Sequence, residues 1–489
     1  MDATVKEKIF RVLLLAIMPL LFFGCGGGGG AGDGVAGGGI GGSGITVSAV
    51  SSGTVTNFGS VIVNDVEFDT TKAEVVVAGG VQGTGDAAVT SLLSRGMVVR
   101  VEGRLDGDTI GTAARVVFTP NVEGPLESIT TLDDPVAELI VMGQTVQVDE
   151  RTVFRNATLD ALSAGNVLEV SGLADAAGTI FATYINKKAD SLALNAPVGL
   201  KGVIENLDTV ARRFTLNSLV IDYTSAKISG FPGANPVQGQ PAAVKGRLIG
   251  PDTLVATSVA FENQLGRDDI DTADIEGFIT QLASTSRFAV GAVVIVTDGA
   301  TVFKDVSSAD LSPGTRLKVR GSLNSRIVLA DEIAAADKVK LESNVGSVDL
   351  APGRRSLTLV GLSPVAVKTN AATRFTGAAG LDQIAIGEHA IIFGRAPAPD
   401  RVIATKILVR PANDKVTLKG PVASAVSPNL EIVSVMVDTS SIPADGFIGK
   451  GGQALTSAEF YAAAQAGDTA NAQGILSDAT VEWKRVEIE

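Results

Sequence analysis

One cysteine, one histidine and one tryptophan stand in a chain of 489 residues, and 3 Tyr and 18 Phe complete its aromatics. A single thiol excludes a disulfide-stapled scaffold, and one thiol with one imidazole exclude a His- or Cys-rich metal site. Basic residues are in deficit: Lys+Arg 40 against Asp+Glu 53 gives a net charge of -13. Proteins that hold phosphate backbones carry surplus Lys and Arg, and single strands also require stacked rings, so nucleic acid is not an expected partner. The aromatic girdles of a membrane-spanning barrel are missing too. What is plentiful is apolar surface, at 45% hydrophobic residues. That amount offsets the entropy of ordering several domains, so the chain is not a disordered acidic tail.

Lys6, Lys8 and Arg11 precede an apolar run over residues 12–23. Charge followed by a short greasy stretch is the order of a secretory signal, and the run is too short to span a bilayer as a helix. It ends at Leu21-Phe22-Phe23-Gly24-Cys25, which places the chain's single thiol directly after a small residue. This segment resembles the lipobox of bacterial lipoproteins, with Phe22 where that motif usually has Leu. The resemblance implies a signal peptide over residues 1–24 and lipidation of Cys25. The alternative is an ordinary signal peptide with an incidental cysteine. Residues 26–44 hold 13 glycines in 19 positions, a flexible tether with an end-to-end distance of about 25 Å. Gly26 follows the cysteine where Asp commonly signals inner-membrane retention, so the same resemblance implies the outer membrane.

Beyond the tether the chain repeats itself. Glycines seven apart recur as Gly96/Gly103, Gly165/Gly172, Gly239/Gly246, Gly314/Gly321, Gly387/Gly394 and Gly467/Gly474. The third and fifth residues after each first glycine are apolar, as in Leu317 and Val319, which reads as a strand with one face buried. A second marker precedes each pair at Gly53, Gly124, Gly202, Gly277, Gly346 and Gly420. Glycine inside a strand suits a bulge or sharp bend, the device by which a short sheet curls into a barrel.

In three copies Asp or Asn stands three residues before Thr-x-Phe: Asp149/Thr152/Phe154, Asp298/Thr301/Phe303 and Asn370/Thr373/Phe375. Short oxygen-bearing side chains of this kind cap turns, and the Phe returns to the core; a catalytic part for a site repeated on every copy would be unusual. One helical turn fits before the paired-glycine strand, at Leu159-Asp160-Ala161-Leu162, Ala309-Asp310-Leu311 and Leu381-Asp382-Gln383-Ile384. In the last copy it expands over residues 456–464, opened by the capping box Thr456-x-x-Glu459. Five strands with a helix between the third and fourth predict an all-β fold, a tandem array of about six small five-stranded OB-like β-barrels. The expected division is a signal peptide at 1–24, acylated cysteine and tether at 25–44, and repeats at 45–120, 121–192, 193–265, 266–343, 344–411 and 412–489. Modules this small are marginal alone, so the barrels are expected to touch.

The tether and the stretches GTVTNFGSVIVNDVEFD (53–69), GQTVQVD (143–149) and GNVLEVSG (165–172) resemble bacterial envelope proteins built from domain of unknown function 5666. The likeness covers residues 45–489 and is strongest in the first two copies. It implies an envelope location and the repeated-module fold; it brings no catalytic residues with it.

No chemistry-bearing constellation emerges. Triads need an imidazole, and His389 lies on a strand where sister copies carry Val98, Val167, Pro241 and Arg316, so an outward-facing or edge position is expected for it. The acidic stretch Asp268, Asp269, Asp271 and Asp274 lacks the spacing and central glycine of an EF-hand and reads as a solvated linker, with calcium binding left open. A pair of glycosidase carboxylates cannot be nominated by spacing. No catalytic, cofactor-binding or metal residue is therefore assigned, and no cofactor is expected. The expected function is a non-enzymatic, lipid-anchored scaffold or binding protein of the cell envelope. It would be held at the membrane through Cys25, with an envelope protein or polysaccharide as partner. The alternative is an envelope hydrolase or carbohydrate-processing protein with its site between modules.

Overall fold

The computed structural model describes residues 46–488 apart from 58–59, 134–135, 150, 305, 353, 371–372, 399 and 451. The expected signal peptide, Cys25 and the tether to Gly44 lie outside the described residues. From there on the chain is built almost wholly of strands.

Repeat 4 shows the unit most plainly. Its strands one to five are Ile270–Ser284, Arg287–Val290, Val293–Val296, Arg316–Asn324 and Ile327–Ala335. Strand one pairs antiparallel with two, two with three, three runs parallel with five, and four lies antiparallel between five and one. The order one-two-three-five-four-one closes the sheet, which is the OB-like barrel expected from the strand count. Closure removes the exposed edges that invite aggregation. Repeats 1, 2 and 5 pair in the same way. Repeat 3 does so with its first strand broken into Val198–Val203 and Glu205–Asp208. Repeat 6 keeps the antiparallel pairs, but among the described residues its third strand, Val435–Asp438, does not reach the fifth; Phe447–Ile448 pairs there instead.

The two glycines of each pair have separate tasks. The first sits at a φ between +82° and +94° in all six repeats, in the left-handed region open to glycine. Its N–H donates to strand one, and the next residue's carbonyl accepts from the same strand-one residue: Val55, Leu126, Ile204, Ile279, Val345 or Val422. The second glycine marks a register shift between strands four and five in every repeat. In repeat 4, Gly321 faces Ala330 while Arg320 faces Glu332, so Asp331 is the extra residue of a bulge. A Cβ on the second glycine would lie 2.0 to 2.7 Å from a strand-five carbonyl oxygen in each barrel. The strands can approach there only without a side chain.

Position Gly346 is a correction. The strand-one residue that engages Gly387 is Val345, and two residues before it, where the sisters carry Gly53, Gly124, Gly202, Gly277 and Gly420, stands Ser343. A Cβ on Gly53 or Gly420 would meet the Asn64 or Val433 side chain at 2.1 or 2.2 Å. In repeat 5 the site instead accommodates a hydroxyl, which donates to the Val360 carbonyl at 2.8 Å. The division expected at 343/344 is also corrected, because it falls inside the strand Val339–Asp349.

Helical turns precede strand four at Leu159–Ala161, Ser308–Asp310 and Leu381–Gln383, and the capping box of Thr456 and Glu459 opens the helix Ser457–Ala463. Repeat 1 adds a helix, Gly85–Leu92, with a preceding strand Gly80–Thr84, neither of which the sequence reading anticipated.

The barrels associate in pairs through their first strands, two pairs consecutive in the chain and one not. Repeats 1 and 4 join in parallel, with Ser51 opposite Asp274. Repeats 2 and 3 join antiparallel through Leu200 and Val122, and repeats 5 and 6 through Leu341 and Leu418. The result is three sheets of 13, 13 and 12 strands, one per pair. Apolar cores fuse accordingly: one cluster runs through repeats 2 and 3, another through 5 and 6. Tyr184 of repeat 2 is buried in the core of repeat 1, where a large side chain contributes about 1.5–3 kcal/mol.

Candidate functional site

The residues singled out by sequence divide into turn builders and interface groups. In the three Thr-x-Phe copies the threonine hydroxyl accepts from the Asp149, Asp298 or Asn370 N–H at 3.0 to 3.1 Å. The same hydroxyl donates to the Ala182, Ala330 or Ala404 carbonyl at 2.7 to 2.8 Å. Those alanines face the bulge glycines, so the hydroxyl ties the turn to the barrel's tightest point.

His389 departs from its expected place. Its strand lies between strands one and five and is no edge, and the ring is only 1% exposed. Alternation does send it out of its own barrel, on the side of Ile391 and Phe393, but that face is covered: those two side chains join the core of repeat 4. The ring nitrogens lie 3.1 Å from Asn344 Oδ1 and 3.3 Å from Glu342 Oε1. Glu342 also accepts from Thr417 Oγ1 at 2.9 Å and pairs with Lys415 at 3.1 Å, both in repeat 6. Burial opposes its ionisation, but the His389 hydrogen bond and the charges of Lys340 and Lys415 prevail and lower its pKa to about 2. It is an internal clamp between two barrels.

The acidic stretch is not a linker. Asp268 pairs with Arg326 at 2.7 Å and Asp269 accepts from the Ser325 N–H at 2.8 Å, both across the hairpin of their own barrel. Asp274 is buried against repeat 1, where desolvation raises its pKa to about 7 despite Arg320 at 3.5 Å. Among the described residues no three His, Cys, Asp or Glu side chains converge in a way that could hold a metal ion.

A cavity of about 260 Å³ opens where repeats 1, 2 and 4 meet. Repeat 1 supplies Thr54, Arg95 and Gly96; repeat 2 supplies Gln147, Asp149, Arg151 and Phe181; repeat 4 supplies Phe278 and Arg316. The two Phe rings form part of an apolar wall, with centroids 4.9 Å apart. Arg316 pairs with Glu276, which also accepts from the Thr54 N–H at 2.9 Å and so links repeats 1 and 4. Asp149 pairs with Arg151. Burial disfavours the charged form of both carboxylates, yet the adjoining arginines hold each below the ordinary carboxylate range.

Three buried polar atoms of this lining have no partner: Thr54 Oγ1, which can donate and accept, Gln147 Oε1, an acceptor, and Arg316 Nε, a donor. Leaving such groups unmet costs about 1–3 kcal/mol each. Arg95 is exposed and makes no hydrogen bond or ion pair among the described residues. A more open groove of about 410 Å³, lined by Gly361, Met436, Asp438 and Trp483, contains no unpartnered buried polar atom. The three-repeat junction is therefore the stronger candidate.

Sequence reading missed this site because three repeats distant in the chain supply it. One signal was present. Arg95 precedes the first glycine of its pair where the sisters carry Ala164, Gln238, Pro313, Ile386 and Ala466, and Arg316 occupies the position of Val98, Val167 and Pro241. Arginines that break the repeat pattern converge in one cleft.

The comparisons agree with the strand pattern. Residues 123–186 and 276–334 match the model of the family described as Domain of unknown function (DUF5666). No curated protein and no solved structure matches the chain. The two matched stretches form the bodies of the second and fourth barrels, so those two barrels are similar to that family's module.

Proposed function

We propose that this chain is a non-enzymatic binding protein of the cell envelope, anchored by an acylated Cys25, whose paired barrels form a scaffold around a ligand pocket at the junction of repeats 1, 2 and 4. The observation that carries the binding reading is the convergence of pattern-breaking arginines with three unmet buried polar atoms in one cavity. The alternative, a hydrolase working between modules, is less well supported. Glycoside hydrolysis needs one carboxyl held protonated beside one ionised. Here both nearby carboxylates, Asp149 and Glu276, are pushed toward ionisation by their arginines. Support for the envelope and the anchor comes from the charge-then-apolar leader and the cysteine after Gly24.

Two measurements test the reading. Cells fed a fatty-acid analogue should label the wild-type chain and not Cys25→Ser; equal labelling removes the anchor. Pull-down from envelope extracts with wild type and Gln147→Leu should differ in at least one co-purifying component, and identical profiles count against the pocket.

A further inference from the structure

We infer that the three-repeat pocket takes a small hydroxylated carboxylate, a sugar acid, an inference that rests on the binding reading above and specifies its ligand. The chemistry of the walls sets the class. Gln147 Oε1 requires a donor, Arg316 Nε requires an acceptor, and the Thr54 hydroxyl takes either. Hydroxyl groups serve as both, whereas a bare carboxylate offers acceptors alone. The charges of Arg151 and Arg316 are already met by Asp149 and Glu276, but that of Arg95 at the rim is not. The cavity thus has one uncompensated positive charge within a chain of net charge -13, which selects a single anionic group inside it.

Much of the remaining wall is apolar, with Val55, Leu173, Phe181 and Phe278, and suits the C–H face of a pyranose. A volume of about 260 Å³ lies below the roughly 300–1,000 Å³ of pockets for drug-sized molecules, so one ring is the fitting size. Water would satisfy Thr54, Gln147 and Arg316 but would leave Arg95 and the apolar wall unused.

The test is titration of the folded chain at low salt with D-glucuronate, D-glucose and acetate, followed by calorimetry. Glucuronate is expected to bind at least tenfold more tightly than glucose or acetate, since a charge-assisted hydrogen bond is worth about a factor of ten. Arg95→Gln, a surface change, should bring glucuronate down to the level of glucose and leave glucose unaffected. Gln147→Leu should weaken both sugars about tenfold. A tetragalacturonate arm separates two sources of the same chemistry: binding at least as tight as glucuronate indicates a chain end, and exclusion a free acid. Equal affinity for glucose and glucuronate, or for acetate and glucuronate, would overturn the sugar-acid inference and leave a binding pocket. No heat with any ligand, from a protein whose melting is normal, would overturn the pocket reading as well.

Discussion

Gly321→Ala places a methyl group where strands four and five of repeat 4 are closest. The new Cβ would lie 2.0 Å from the Leu329 carbonyl oxygen and 2.8 Å from Ala330 Cα. Both contacts are backbone, so no side chain can rotate away; the strands must part by about 1 Å to restore ordinary packing. Parting them loosens the ladder on either side of the bulge. It also strains the Thr301 hydroxyl bond to the Ala330 carbonyl, 2.8 Å long. With about 1 kcal/mol net for each hydrogen bond lost and 1–3 kcal/mol for overpacking, the expected destabilisation is about 2–4 kcal/mol. Gly299→Ala is the matched control, because a Cβ there meets nothing within 4 Å, and its effect should stay within about 0.5 kcal/mol of zero. Several coupled barrels do not unfold in one step. Hydrogen exchange resolved by peptide is therefore the assay: protection over residues 316–335 should fall in Gly321→Ala alone. Equal protection in the two variants would refute the bulge argument.

Two further outcomes follow from the same structure. Thr373→Val keeps the shape but removes the hydroxyl that joins Asn370 to the Ala404 carbonyl, and should lower stability by about 1–3 kcal/mol in denaturant titrations; a change below a few tenths would count against the turn. Glu342, with its pKa lowered from 4.5 to about 2, stabilises the joint of repeats 5 and 6 fully above pH 4.5, and this contribution is lost as pH falls through 2. It amounts to about 3 kcal/mol at neutral pH. Glu342→Gln should thus melt lower than wild type at pH 7 and approach it near pH 2, and a gap that is constant with pH would contradict the clamp.

How much of this was legible depended on whether the cause was local. The bulge at Gly321 and its sisters, the threonine turns and the Thr456 capping box are set by residues close in sequence, and periodicity found them. Gly346 misled because Ser343 substitutes a hydroxyl bond to Val360 for the absent side chain of its sisters, so the repeat persists while the residue type changes. The alternation at His389 was legible, but its burial was not, because the cover comes from other barrels. The pocket lies at the far end of the same scale. Thr54, Gln147 and Arg316 meet because repeat 4 pairs with repeat 1 across the intervening two, and each residue by itself looks like an ordinary strand position.

That pairing is the claim on which the site depends, and a designed cross-link tests it most directly. Ala49 stands opposite Thr272 in the parallel junction of repeats 1 and 4. Neighbouring strands lie about 4.8 Å apart, within reach of a disulfide. In a Cys25→Ser background, Ala49→Cys with Thr272→Cys should oxidise to an intramolecular bond, seen as a mobility shift that reductant reverses. If the folded double variant instead keeps two free thiols under oxidant, repeats 1 and 4 are not joined, and the pocket between them does not exist.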